Sequence, residues 1–261
     1  MTGPWNADIR EFVLAFADDE HLMGQQHTEW IGVAPFLEED LAFSSIGQDE
    51  LGHATTLYAI VASDGDPDRD IGAGAGVDDR RLDALAFDRD PLRWRSSHLV
   101  EAVTDDWAHA LVRHWLYDDA EQLRWELVAD STLEPLAGAA TRAEREEWFH
   151  RRHADGLLDV LLPTPNAGDR LRTALVDLMP LAVGLFDPVA GEVQAVASGV
   201  AAAPFDTRMS EWVDRVRNRF GVDLPTFETP TPTGRTTRSE AFGPLLSRMR
   251  EVLDLDPAAI W

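Results

Sequence analysis

The chain has 261 residues, enough for one large domain, and 44% of them are apolar, enough to fill a sizeable core. Its formal net charge of -24 excludes sequence-independent nucleic-acid binding, because polyanions are repelled. It contains no Cys, which excludes disulfides, thiolate metal sites and cysteine nucleophiles and leaves nitrogen and oxygen as the only metal ligands.

All 23 basic residues are Arg. An acidic surface without Lys suits either a salt-rich cytoplasm or a high-GC coding bias. No stretch reaches the roughly 18 to 20 uninterrupted apolar residues that span a bilayer, and Met1 to Arg10 lacks a basic segment followed by an apolar run. The expectation is a cytoplasmic protein with no membrane span.

Long segments of period 3.6 and few β-branched runs predict an all-α chain. The first helix is expected from about Trp5 to Trp30, ending near Gly32 and Pro35 because proline lacks the amide donor. The second runs from about Phe36 to Ala62. Ser63 to Gly76 has the turn chemistry of a loop. A third helix is expected over about Ser97 to Ala129. Ser131 or Thr132, with Glu134 and Pro135, then makes a start signal for a fourth helix reaching Leu162. Further helices fit Ala167 to Phe186, Thr207 to Phe220 and Ser239 to Leu253, with Pro225 to Gly234 an extended excursion. The whole chain, residues 1–261, is thus expected to be one helical domain. Its core is a four-helix bundle over about 5–162, with additional C-terminal helices over about 167–255.

Two Glu-x-x-His motifs, Glu50/His53 and Glu147/His150, fall in mid-helix, where i, i+3 spacing projects carboxylate and imidazole from one face. With 18 Glu and 8 His, chance supplies roughly half such a match. Hairpin geometry raises the odds. Glu20 and Glu50 each lie 15 residues from Pro35, roughly 22 Å along their helices, so antiparallel packing brings them to one height. The midpoint of Asp118 and Glu147 falls inside the Ser131-Thr132-Leu133 turn. Asp119 is an alternative to Asp118, and an acidic run such as Asp18-Asp19-Glu20 is ordinarily a solvated face.

Four helices thus offer a carboxylate, a Glu-x-x-His, a second carboxylate and a second Glu-x-x-His, the ligand scheme of carboxylate-bridged di-iron bundles. Candidate metal ligands are Glu20, Glu50, His53, Asp118, Glu147 and His150, a mixed set suited to iron or manganese. No organic cofactor is expected. His27, His98, His109, His114 and His153 have no comparable pairing and receive no role. Trp115, Trp125, Trp148 and Phe149 either line a cavity or, the commoner case, fill the core.

At these residues the chain resembles the ferritin-like subunits of the bacterial multicomponent phenylacetyl-CoA epoxidase, most closely the structural C type. The telling stretches are Glu29-Trp30-Ile31-Gly32-Val33-Ala34-Pro35, Glu39-Asp40-Leu41-Ala42 and Ile46 to Ala54, with Phe242-Gly243-Pro244-Leu245-Leu246 and Trp261 at the tail. Gln48 to His53, Trp115 to Asp118 and Glu146 to His150 look instead like the metal motif of the catalytic A type. There a glutamate at the position of Glu20, an aspartate at that of Asp118 and the two Glu-x-x-His pairs bind iron.

The resemblance implies a ferritin-like bundle that assembles with a catalytic A-type subunit and is served indirectly by a reductase. The complex adds one oxygen atom of O2 across the ring of phenylacetyl-CoA to give a 1,2-epoxide. A CoA thioester becomes a candidate ligand and an oligomer the expected state. The alternatives are a catalytically active di-iron oxygenase subunit and a ferritin-like ferroxidase or iron-binding protein.

Overall fold

The structure is a computed structural model describing residues 4–64, 79–224 and 233–256. Among them are eleven α-helices and no β-strand, only an isolated bridge between Val189 and Gly234. The sequence-based loop beyond Asp64, most of the Pro225 to Gly234 excursion and Trp261 lie outside the described residues.

Helix α1 (Ala7–Thr28) begins where the Asn6 side chain accepts from the amides of Asp8 and Ile9, later than the expected Trp5. Asp40 closes the next turn by accepting from Gly32 and Ala34 N–H, and α2 (Leu37–Ala62) returns against α1. Glu38, Glu39 and Asp40 place acid at its positive end. The two helices approach closely through facing glycines: a Cβ on Gly24 would lie 3.1 Å from the Gly47 carbonyl oxygen, and one on Gly47 3.2 Å from that of Gly24. This contact holds Glu20 and Glu50 at short range.

The crossover carries α3 (Asp79–Ala86), which the sequence pattern missed, and α4 (His98–Glu101). The expected helix from Ser97 to Ala129 is broken. After α4 the backbone turns extended at Ala102, and α5 (Trp107–Val128) restarts where Asp106 accepts from His109 N–H. The break persists because distant groups satisfy the freed carbonyls: Gln26 donates to Val100 and Ala102, and Arg113 to Ala102. Helix α6 (Glu134–Leu161) starts with Pro135 in its first turn but no side-chain cap. Thr132 Oγ1 instead donates to the Ser198 carbonyl, and Ser131 Oγ accepts from Leu133 N–H.

Helix α7 (Ala167–Ala182) tightens past Pro180 into a 3-10 turn, Val183–Phe186. There follow α8 (Glu192–Ala197), absent from the sequence reading, α9 (Met209–Phe220), α10 (Phe242–Met249) and α11 (Glu251–Leu255). One apolar cluster joins Leu116 and Leu123 to Leu175, Trp212 and Phe242, and a second joins Phe16, Leu57, Trp125 and Ala143. Among the described residues no helix is long and apolar enough to cross a membrane.

Candidate metal centre

Asp18, Asp19 and Glu20 are all fully buried, against the solvated face that such a run ordinarily makes. Each points to a different neighbour. Asp18 pairs with Arg89 and accepts from Tyr58 Oη (2.9 Å). Asp19 pairs with Arg124 (2.8 Å) and Arg235 (2.5 Å). Burial would raise the pKa of Asp19, but those two guanidinium groups outweigh it and hold the carboxyl below its usual value. Of the three, only Glu20 faces Glu50 and His53 of α2.

There Glu20, Glu50, His53 and Glu121 bring one donor atom each within 4.8 Å of one another, and Glu50, Glu147 and His150 form a second such group. The two groups share Glu50. His53 Nδ1 lies 3.4 Å from Glu20, 3.7 Å from Glu121 and 3.6 Å from Glu147, while His150 Nδ1 lies 3.5 Å from Glu147 and 3.8 Å from Glu50. Five of the six sequence-based ligands therefore converge.

The sixth, Asp118, is buried beside the cluster but outside both groups; its Oδ2 lies 2.9 Å from His114 Nδ1, yet neither oxygen has a hydrogen-bond partner, and burial pushes its pKa well above the usual carboxylate range. Its neighbour Asp119 turns away to Arg151 (3.0 Å) and Arg215 (3.2 Å). Glu121, one helical turn beyond Asp118, is the carboxylate that α5 brings into the first group; the sequence reading passed it over. The i, i+3 spacing from Asp118 was the available signal.

The two imidazoles are braced from behind. His53 Nε2 donates to Glu146 Oε2 (2.7 Å), and His150 Nε2 to Asp49 Oδ2 (3.2 Å), so the residue before each motif glutamate orients the histidine of the opposite helix. A carboxylate only accepts, so Nε2 carries the proton and Nδ1 is left facing the cluster.

Most of the inward-facing atoms have no hydrogen-bond partner: Glu20 Oε2, both oxygens of Glu50 and Glu147, Glu121 Oε2, and Nδ1 of His53 and His150. Buried charge without partners is costly, so the metal-free cluster holds protons. Burial, then the charge of Glu121, pushes Glu20 and Glu50 well above the usual carboxylate range and Glu147 to about 8. Glu121 itself is lowered, because His53, Glu20 and Trp125 outweigh its burial. Burial would lower both histidines, yet the surrounding carboxylates raise each well above its usual value. Four carboxylates and two neutral imidazoles carry charge -4, which two divalent cations neutralise. The residues fit a dinuclear metal site.

Trp115 and Trp125 are buried, and Trp125 Nε1 donates to Glu121 (2.7 Å). Trp148 and Phe149 are 55% and 64% exposed, so they neither fill the core nor surround the ligands. A pocket of about 200 Å³ lined by Gln48, Gly52, Thr56, Trp125 and Arg142 opens onto His53. His27 and His114, given no role from sequence, are buried and meet at 3.2 Å beside Asp118.

The chain is 27% identical over 260 residues to the C-type subunit of the 1,2-phenylacetyl-CoA epoxidase of Escherichia coli (strain K12), covering 97% of this chain and 99% of that protein. The profile of the phenylacetic acid catabolic proteins matches residues 4–261. The chain belongs to the family of phenylacetic acid catabolic proteins.

Proposed function

We propose that the chain is a C-type subunit of a phenylacetyl-CoA epoxidase and holds a dinuclear metal centre of its own. The subunit assignment rests on the end-to-end similarity to the C-type subunit of the Escherichia coli enzyme. The observation that carries the metal centre is the set of buried carboxylate and imidazole atoms that face one another with no partner. Iron or manganese bound there would supply redox chemistry with O2. The chain's own part is structural: Glu50, free at both oxygens, would be the ligand common to the two positions, Glu147 would serve the second, and Glu146 and Asp49 hold the imidazoles with Nδ1 turned inward.

Assembly has a candidate surface. Ile31, Val33, Phe36, Leu37 and Leu41, all within one eleven-residue stretch, are 46% to 70% exposed, more apolar surface than isolated side chains leave open. The expected partner is the catalytic oxygenase subunit of the same complex, with a reductase supplying electrons.

Co-expression with such a partner tests the assignment. The two chains are expected to co-elute on gel filtration, and the chain alone is expected to leave phenylacetyl-CoA unchanged. Turnover by an isolated monomer would make this chain the oxygenase instead.

A further inference from the structure

We infer that divalent metal ions reach and leave the proposed metal centre, the reading on which this inference rests, through the pocket between α2 and α6. The route runs past His53, and the Glu146 carboxylate is the latch on it.

Burial singles out His53. It is 7% exposed, against 0% to 1% for Glu20, Glu50, Glu121, Glu147 and His150, so it is the candidate ligand nearest to solvent. It stands in the wall of the pocket of about 200 Å³ that is also lined by the exposed Gln48 and Gly52 of α2 and the exposed Arg142 of α6. That volume holds several waters, room for an ion that keeps part of its hydration shell. The imidazole faces both ways. Its Nδ1 lies toward Glu20, Glu121 and Glu147, while its Nε2 donates to Glu146 Oε2 (2.7 Å), on a side chain that is 42% exposed. The ring thus separates solvent from the inner carboxylates, and an ion passes when it swings aside. The hydrogen bond to Glu146 holds it in place.

Charge and free space suit a cation at this point. Asp49 and Glu146 both line the pocket and outnumber the one guanidinium, that of Arg142, so a hydrated cation is attracted. At Gly52 an added Cβ would meet nothing within 4 Å, so a large side chain there fills the pocket without displacing either helix.

Exchange kinetics of Mn2+ test this without any turnover. Uptake is followed by loss of the free-ion electron paramagnetic resonance signal, and release from the loaded chain by excess chromogenic chelator. Gly52→Phe is expected to slow uptake and release alike, by at least about tenfold, and to leave Kd unchanged, because a blocked route alters rates and not the equilibrium. Gly156→Phe, at another α6 glycine with open space around it but outside this pocket, should leave both rates as they are. Gln48→Trp narrows the same pocket and covers the case in which Gly52→Phe fails to fold.

Glu146→Ala is expected to speed release about tenfold, whereas Glu146→Gln, which keeps an acceptor for Nε2–H, should release at the native rate. In the Gly52→Phe background Glu146→Ala should no longer speed release. Acceleration that persists there would mean that Glu146 acts on affinity alone, and would overturn its role as latch. Full Mn2+ uptake at rates indifferent to Gly52→Phe and Gln48→Trp, or slowed equally by Gly156→Phe, would overturn the route while leaving the centre. A chain that takes up no Mn2+ would overturn the centre and this inference together.

Discussion

Glu147 sits where proton and metal compete. Burial, then the charge of Glu121, raises its pKa to about 8 from an ordinary 4.5. A carboxyl raised on folding stabilises the fold in full below its unfolded pKa and loses that contribution as pH climbs through the folded one. For one proton the slope is about 1.4 kcal/mol per pH unit. In metal-free protein, Glu147→Gln should therefore gain stability relative to the native chain as pH rises from about 5 to 8, read as the gap between two thermal-melt series. Parallel series would mean that the carboxyl is not held protonated by the fold.

Metal loading at neutral pH is expected to release protons, measurable by calorimetry in buffers of different ionisation enthalpy. At this scale much was legible from sequence. Helix rise is constant, so equal distances from Pro35 place Glu20 opposite Glu50 without tertiary information. Glu121 was legible only as a candidate. Asp118 and Glu121 share a helical face, and their partners His114 and Trp125 stand one turn away on the same helix, so which carboxylate reaches Glu20 and His53 depends on how α5 sits against α1 and α2.

Helix spacing sets the ligand geometry at the next scale. A Cβ on Gly24 would stand 2.8 Å from Leu51 Cγ and 3.1 Å from Glu50 Cβ, inside ordinary contact. Gly24→Ala is expected to push α1 from α2 and to lose about 1 to 3 kcal/mol to overpacking, more than the roughly 1 kcal/mol that alanine adds to helix propensity. It should weaken metal binding as well, because Glu20 and Glu50 ride on those helices. At Gly138, in α6, an added Cβ meets nothing within 4 Å, so Gly138→Ala should stabilise by about 1 kcal/mol. Equal effects of the two substitutions on urea midpoints would contradict the close-approach account.

The long helices were readable because their apolar period and flanking Gly and Pro are local. The break between α4 and α5 was not, since Gln26 on α1 supplies the hydrogen bonds that make it tolerable. Helices α3 and α8, of eight and six residues, are too short for periodicity to single out.

Across the whole molecule, buried ion pairs tie the C-terminal segment to the bundle. Arg235 reaches Asp19 on α1 (2.5 Å), and Arg238 pairs with Glu101 on α4. Removing one partner of a buried pair leaves the other uncompensated, so Arg235→Ala should cost about 3 to 5 kcal/mol in a chemical melt. It should also speed proteolysis within residues 233–256. A loss below about 1 kcal/mol would place Arg235 among ordinary surface pairs.

Through Asp19 the same segment abuts Glu20, one of the proposed metal ligands. The central claim is that the buried carboxylates and imidazoles exist to hold metal. It is tested most directly by elemental analysis of the purified chain after anaerobic incubation with Fe(II) and gel filtration. About two iron ions per chain are expected, falling sharply in Glu50→Ala, which removes the ligand common to both groups. A folded chain that retains no metal above background would contradict it.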